Sequence, residues 1–255
     1  MPTAVAPLWD GGRVTAAYSV PIHHTPNLNT VGVFQDLRHR QGFKTLSLGQ
    51  SLWLGNHVVG HVAVGRFHHV AWGAQSEARL FVPGTPDIVR ARGVAYLEEP
   101  GGLEGRDHAG AVSYRRMWGP RMWTELGWQL YGDGAAGPTL EWTRWFGDAS
   151  VQFFGRQGGQ ESFVGVTMAV PLTPRRGMAP HAVTVAGPSR HRQSIRTMVG
   201  SSSGYNLVQP SWVRELVLET GLDDALFSGG RMGEAHLGSQ VDRMREAYLR
   251  YGQMH

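Results

Sequence analysis

The chain has 255 residues, no cysteine and a formal net charge of +4, with charged residues at only 17% and 35 glycines. Disulfides, thiolate metal sites and a cysteine nucleophile are thereby excluded, and a long helical bundle, which uses more Lys, Glu and Ala, is disfavoured against an all-β chain rich in turns. The positive charge is almost all arginine, Lys44 being the only lysine, and it is scattered with no aromatic-interleaved basic stripe, which argues against nucleic acid as a partner.

From the N-terminus, Met1 to Asp10 lacks a basic stretch followed by an apolar one, so it does not read as a signal peptide. A first strand is expected near 13–20. Residues 21–43 read as an irregular connection holding His23, His24, Arg38, His39 and Arg40. Strands are then expected at about 45–54, 58–68, 73–82, 88–97, 109–118, 121–131, 138–146, 149–156 and 162–172. The signal is alternation of period two. Met122, Thr124, Leu126, Trp128 and Leu130 share one face, against Glu125, Gly127 and Gln129. Gln75, Glu77 and Arg79 alternate with Ala74, Ser76, Ala78 and Leu80. Gly55-Asn56, Gly119-Pro120, Gly132-Asp133-Gly134, Gly147-Asp148 and Gly158-Gly159 punctuate these runs with hairpin chemistry, which implies an antiparallel meander. Glu98 to Asp107 reads as a surface loop.

Several of these strands reach the ~9–11 residues of a tilted strand crossing a bilayer. Aromatic residues gather at their ends, as in Trp118, Tyr131 and Trp145-Phe146, where an amphipathic ring meets a membrane interface. No run approaches the ~20 apolar residues of a transmembrane helix, and a mean hydropathy of -0.26 is compatible with strands that are apolar on one face only. The pattern predicts an all-β antiparallel meander of about nine or ten strands with a small C-terminal α-helical tail, and fits either a soluble sandwich or a β-barrel of outer-membrane type. A soluble carbohydrate-binding or carbohydrate-active β-domain is the alternative reading, and a truncated product that does not fold alone is a second.

After Leu172 the character changes. Residues 1–172 form the expected barrel or half-barrel, and 173–255 a linker, short strands at 181–186 and 192–199, a flexible 200–204 loop and helices. One helix is expected from 210 to about 220, capped by Ser211, and another from 234 to 250 with the stripe Leu237, Val241, Met244, Tyr248 and Tyr251.

Candidate chemistry is sparse. His57 and His61 lie four apart but across a turn, so they share no helical face, and no zinc motif occurs. Glu98-Glu99 point to opposite faces of an extended chain, and no serine-hydrolase elbow or phosphate loop is present. No catalytic residue, metal site or cofactor is expected. The informative set is the polar face: Gln75, Glu77, Arg79, Glu125, Gln129, Glu141, Gln152 and Arg156, with Thr143, as a lumen lining that pairs internally or contacts polysaccharide hydroxyls. Arg144, beside Trp142, falls on the expected lipid face, so either it snorkels to the interface or the register there is shifted by one.

The phrase Val170-Pro171-Leu172-Thr173-Pro174-Arg175-Arg176-Gly177-Met178-Ala179-Pro180 resembles the end of the barrel in YjbH-like exopolysaccharide biosynthesis proteins. The hairpins at Leu46–Trp53 and Gly60–Phe67, the Trp72–Glu77 strand, Ser19-Val20-Pro21-Ile22 and the tail Val241–Tyr248 are similar to the same family. The resemblance implies an outer-membrane barrel that serves exopolysaccharide or capsule biosynthesis and export as a non-catalytic conduit or scaffold. It implies polysaccharide and outer-membrane lipid as partners, with periplasmic export proteins meeting the C-terminal helix. Family members are longer, so the chain is expected to be the C-terminal part of a larger precursor that carries the signal peptide. Met254-His255 departs from the terminal aromatic strand of ordinary barrels, which places the assembly signal internally, around Phe163–Leu172.

Overall fold

A computed structural model describes residues 2–21, 41–69, 71–97, 108–132, 134–159, 161–172, 183–186, 190–199, 216, 218–226 and 234–252. The expected loops at 22–40, 98–107 and 200–204 lie outside these residues, as do 210–215.

The alternating runs become one antiparallel sheet of 13 strands. They are β1 (Thr3–Trp9), β2 (Gly12–Ser19), β3 (Gly42–Leu54), β4 (Val58–Phe67), β5 (Ala71–Phe81), β6 (Ile88–Leu97), β7 (His108–Gly119), β8 (Met122–Leu130), β9 (Ala136–Phe146), β10 (Ala149–Gly158), β11 (Glu161–Pro171), β12 (Thr184–Ala186) and β13 (Arg190–Val199). From β1 to β11 each strand pairs with its sequence neighbour, and six of the ten connections are turns of two or three residues. The β4–β5 turn is made by His68 and His69, both at positive φ (52° and 71°), the conformation a tight hairpin demands.

The strand count exceeds the nine or ten expected. β1 was not anticipated, because Pro7 removes a ladder donor; the register slips between Pro7 and Trp9, where such a residue is tolerated. The sheet also continues past Leu172. β12 pairs with β1 (Thr3 opposite Ala186), while β13 pairs with β11 over ten residues, from Ser162 opposite Val199 to Pro171 opposite Arg190. β12 and β13 thus pair with the two ends of the meander, β1 and β11. Two helices complete the described chain: α1 (Leu222–Ala225) and α2 (Glu234–Tyr251). The helix expected over 210–220 is corrected in its described part. Residues 216 and 218–220 are not helical, and the helical turn begins only at Leu222. Among the described residues no helix is long and apolar enough to cross a membrane.

Burial follows the alternation in the inverse of the usual sense. Leu126 and Trp128 are 58% and 59% exposed, whereas Glu125 and Gln129 on the same strand are each 3% exposed. The pattern repeats along the sheet. Leu48, Leu52, Val62, Val64, Val112, Leu140, Val164 and Val170 are exposed; Ser47, Ser51, His61, Gln75, Glu77, Arg79, Ser113 and Thr143 are buried. Arg144 is exposed on the apolar face three residues before Gly147, with its guanidinium 5.2 Å from the Phe146 ring, so the register expected there holds.

Candidate functional site: a charged face threaded by its own chain

Extended backbone sends alternate residues of β2 to β10 to the polar face, and cross-strand register decides which of them meet. Glu77 stands opposite Arg92, Arg79 opposite Arg90, Arg115 opposite Glu125, and Glu125 opposite Glu141. A buried carboxylate is tolerated only when paired and hydrogen-bonded, and each carboxylate here is. Glu77 Oε1 accepts from Arg79 (2.8 and 2.6 Å) and from Arg90 Nε (2.7 Å). Glu125 accepts from Ser113 Oγ (2.5 Å) and Arg115 (2.8 Å). Glu141 accepts from Gln152 (2.8 Å) and Arg156 (2.9 Å). Glu125 and Glu141 are cross-strand neighbours, but arginines on opposite flanks draw them apart.

The eight residues read from the sequence as a polar lining therefore do share one face. The structure divides them, however. Glu125, Glu141, Gln152 and Arg156 pair within the wall. Gln129 is buried, and its Nε2 has no partner among the described residues. Gln75, Glu77 and Arg79 are occupied by a segment of the same chain about 145 residues downstream. Gln75 Oε1 accepts from the backbone N–H groups of Glu219 (2.9 Å) and Thr220 (3.2 Å). Glu77 Oε2 accepts from the N–H of Leu222 (2.9 Å). Arg79 Nη1 reaches the Asp223 carboxylate at 2.9 Å, and Arg13 donates to the Asp224 carbonyl at 3.0 Å.

The path of this segment follows from its partners. Leu216 packs on Ala109, Ala111 and Val94, near the rim that also carries the 68–69 turn and the 131–135 connection. At the same rim Glu219 meets Lys44 Nζ (3.0 Å), His68 Nδ1 (3.1 Å), the His68 N–H (3.0 Å) and the Thr45 hydroxyl. Burial pushes the Glu219 carboxyl up, but the bonds from His68 and Thr45 outweigh it and hold the group at about 2. Leu222, 0% exposed, lies at mid-wall, where α1 rests on β4. Asp224 then meets Arg13 at the opposite rim, beside the Asp10-Gly11 turn. At that second rim α2 is docked: Ser239 Oγ donates to the Gly147 carbonyl (2.9 Å), and Gly238 sits so close to Pro120 that an added Cβ would lie 2.0 Å from its carbonyl oxygen. The stripe Leu237, Val241, Met244 and Tyr248 stays exposed.

Sequence reasoning placed the wall residues but missed the occupying segment and its Glu219 and Asp223. The one local signal was the acidic Asp223-Asp224 pair after a glycine, which carries no direction toward a particular wall.

Among the described residues no cluster of His, Asp or Glu is arranged to hold a metal ion. His61 is buried with its Nδ1 2.9 Å from Ser51 Oγ, which marks it as a wall residue. At the second rim the Asp87 carboxylate accepts from the Tyr114 hydroxyl and from the Met117 N–H (3.0 Å), and these bonds lower its pKa. No family model, no curated protein and no solved structure matches the chain.

Proposed function

We propose that the chain is an outer-membrane β-barrel accessory of exopolysaccharide or capsule biosynthesis and export, acting as a non-catalytic conduit or scaffold. The observation that carries the membrane assignment is the inverted burial: leucine, valine and tryptophan outward, paired charges and amides inward. In water the outward band would expose apolar area far beyond the few hundred Å² usual for a soluble monomer. Against lipid the same band is the favourable surface. Closure of the sheet is part of this proposal and is supported by the placing of β12 on β1 and of β13, which follows it closely in the chain, on β11. Closure removes both sheet edges, as a spanning sheet requires.

The polysaccharide assignment rests on the resemblance to YjbH-like proteins together with an inner wall of hydroxyl, amide and charged groups. The conduit is narrowed by Leu216 and residues 218–226 in the described state, which favours a scaffold or a gated passage over an open pore. The absence of chemistry follows from the pairing. A glycosidase needs one carboxyl as acid and a second that is free to act as base or nucleophile, and Glu77, Glu125 and Glu141 each commit oxygens to arginine.

Two measurements test the proposal. The purified chain should need detergent or lipid, float with liposomes, and migrate differently on gels before and after boiling; a monomer stable in plain buffer refutes the barrel. Loss of the gene should alter extracellular polysaccharide without removing any glycosyl-transfer or hydrolase activity. Release of oligosaccharides by the purified protein that disappears in Glu125→Gln, Glu141→Gln or Glu77→Gln would establish the carbohydrate-active alternative instead.

A further inference from the structure

We infer that Leu216 and residues 218–226 belong to a displaceable anionic plug seated on a track that takes an acidic polysaccharide, the plug's carboxylates and N–H groups standing in for the polymer's carboxylates and hydroxyls. The inference rests on the proposed role in polysaccharide handling and names the class of polymer.

The first support is the charge of the wall. On the polar face Arg13, Arg79, Arg90, Arg92, Arg115 and Arg156 oppose only Glu77, Glu125 and Glu141 on the same strands. The segment lying on them supplies Glu219, Asp223 and Asp224. The wall is thus left with a cationic excess that an anion must balance.

The second support is the chemistry of each contact. Asp223 lies 2.9 Å from Arg79 Nη1 and 4.0 Å from Arg90 Nη2, with Glu219 on Lys44 near the rim. Two carboxylates are therefore presented along the wall to separate cations, as on an acidic sugar chain. Between them Gln75 Oε1 and Glu77 Oε2 accept backbone N–H groups, and sugar hydroxyls donate equally well to such acceptors. The third support is that the wall holds donors the plug leaves unused. Gln129 Nε2 and Arg92 Nε are buried and have no partner among the described residues.

The segment is suited to release. Its helical turn spans only Leu222–Ala225 and has no side-chain cap. Its anchors are mostly polar contacts, which an anionic polymer replaces one for one. α2, docked separately on the 147–148 turn through Ser239, provides a tether at the second rim.

The test uses the full chain in detergent micelles, with polygalacturonate as the acidic probe and dextran as the neutral one. Because the chain has no cysteine, Leu222→Cys reports the plug by its rate of maleimide labelling. Polygalacturonate should raise that rate about tenfold, with dextran inert and the effect fading above ~0.5 M salt. Asp223→Asn should tighten polygalacturonate binding by roughly tenfold, the value of one charge-assisted hydrogen bond lost by the competitor. Arg90→Gln should weaken it. Equal binding of both polymers, weaker binding in Asp223→Asn, or labelling that polygalacturonate slows would each overturn the inference. Liposome flotation of the same preparations reads the barrel separately. A protein that floats but ignores polygalacturonate sinks the plug alone, and one that does not float sinks the membrane assignment.

Discussion

Leu126→Arg separates lipid from water as the solvent of the apolar face. Leu126 is the fifth of nine residues in β8, 58% exposed and flanked on its own strand by the buried Glu125. Nine residues at ~3.3 Å each, tilted by ~45°, give a strand height of about 21 Å, close to the ~25 Å apolar band of outer-membrane barrels. Leu126 then sits at the midplane, where arginine costs about 2–4 kcal/mol. That cost is roughly a 30- to 900-fold loss in the folding equilibrium. On a water-exposed surface the same change is worth no more than about 0.5 kcal/mol, since no packed neighbour is lost. Leu54, the last residue of β3 and equally exposed, is the rim control, with an expected cost of about 0–1 kcal/mol. Urea titration of each variant refolded into liposomes, read by tryptophan fluorescence, gives the comparison. If Leu126→Arg matches the wild type within about 0.5 kcal/mol, the apolar face does not meet lipid and the barrel assignment fails.

Three further outcomes are expected. Glu77→Gln, which strips a buried carboxylate from Arg79 and Arg90 and an acceptor from the plug, should cost about 3–5 kcal/mol in the same titration; Glu141, with its more accessible side chain, should cost less, and the reverse order would contradict the network. Glu219 is depressed to about 2 when docked, so its contribution to plug seating is complete above the ordinary glutamate value of ~4.3 and is lost as pH falls through about 2. A nitroxide attached to Leu222→Cys at neutral pH, where the thiol reacts, should gain mobility over that interval, and the gain should shrink in Glu219→Gln; an unchanged acid limb would show that Glu219 is not the anchor. Gly137→Ala places a Cβ 2.1 Å from the Gln157 carbonyl oxygen and should destabilise by about 1–3 kcal/mol, whereas Gly60→Ala, with nothing within 4 Å, should stay within about 0.5 kcal/mol of wild type.

What the amino-acid order determined by itself was the wall. The period-two runs around Met122–Leu130 and Ala74–Leu80 depend on neighbours two residues apart, and turns such as Gly55-Asn56 and Gly147-Asp148 need only their own φ angles, so both are written locally. For the same reason the outward position of Arg144 was legible, and α2 as a striped helix. What only the tertiary structure decided was occupancy. The bonds from Glu219, Thr220 and Leu222 to Gln75 and Glu77 join positions about 145 apart in the chain and leave no periodic trace. β1, which contains Pro7, was likewise settled by long-range pairing; β12 and β13 fall at the short strands expected over 181–186 and 192–199, and the structure decided which strands they join. Ser211 offered a local helix cap, but Glu219 and Thr220 are not helical, and their backbone N–H groups are taken by Gln75 on the wall. Local sequence sets which face a side chain takes; which groups remain free on that face depends on a distant segment whose carboxylates and N–H groups satisfy charges that would otherwise be buried unpaired.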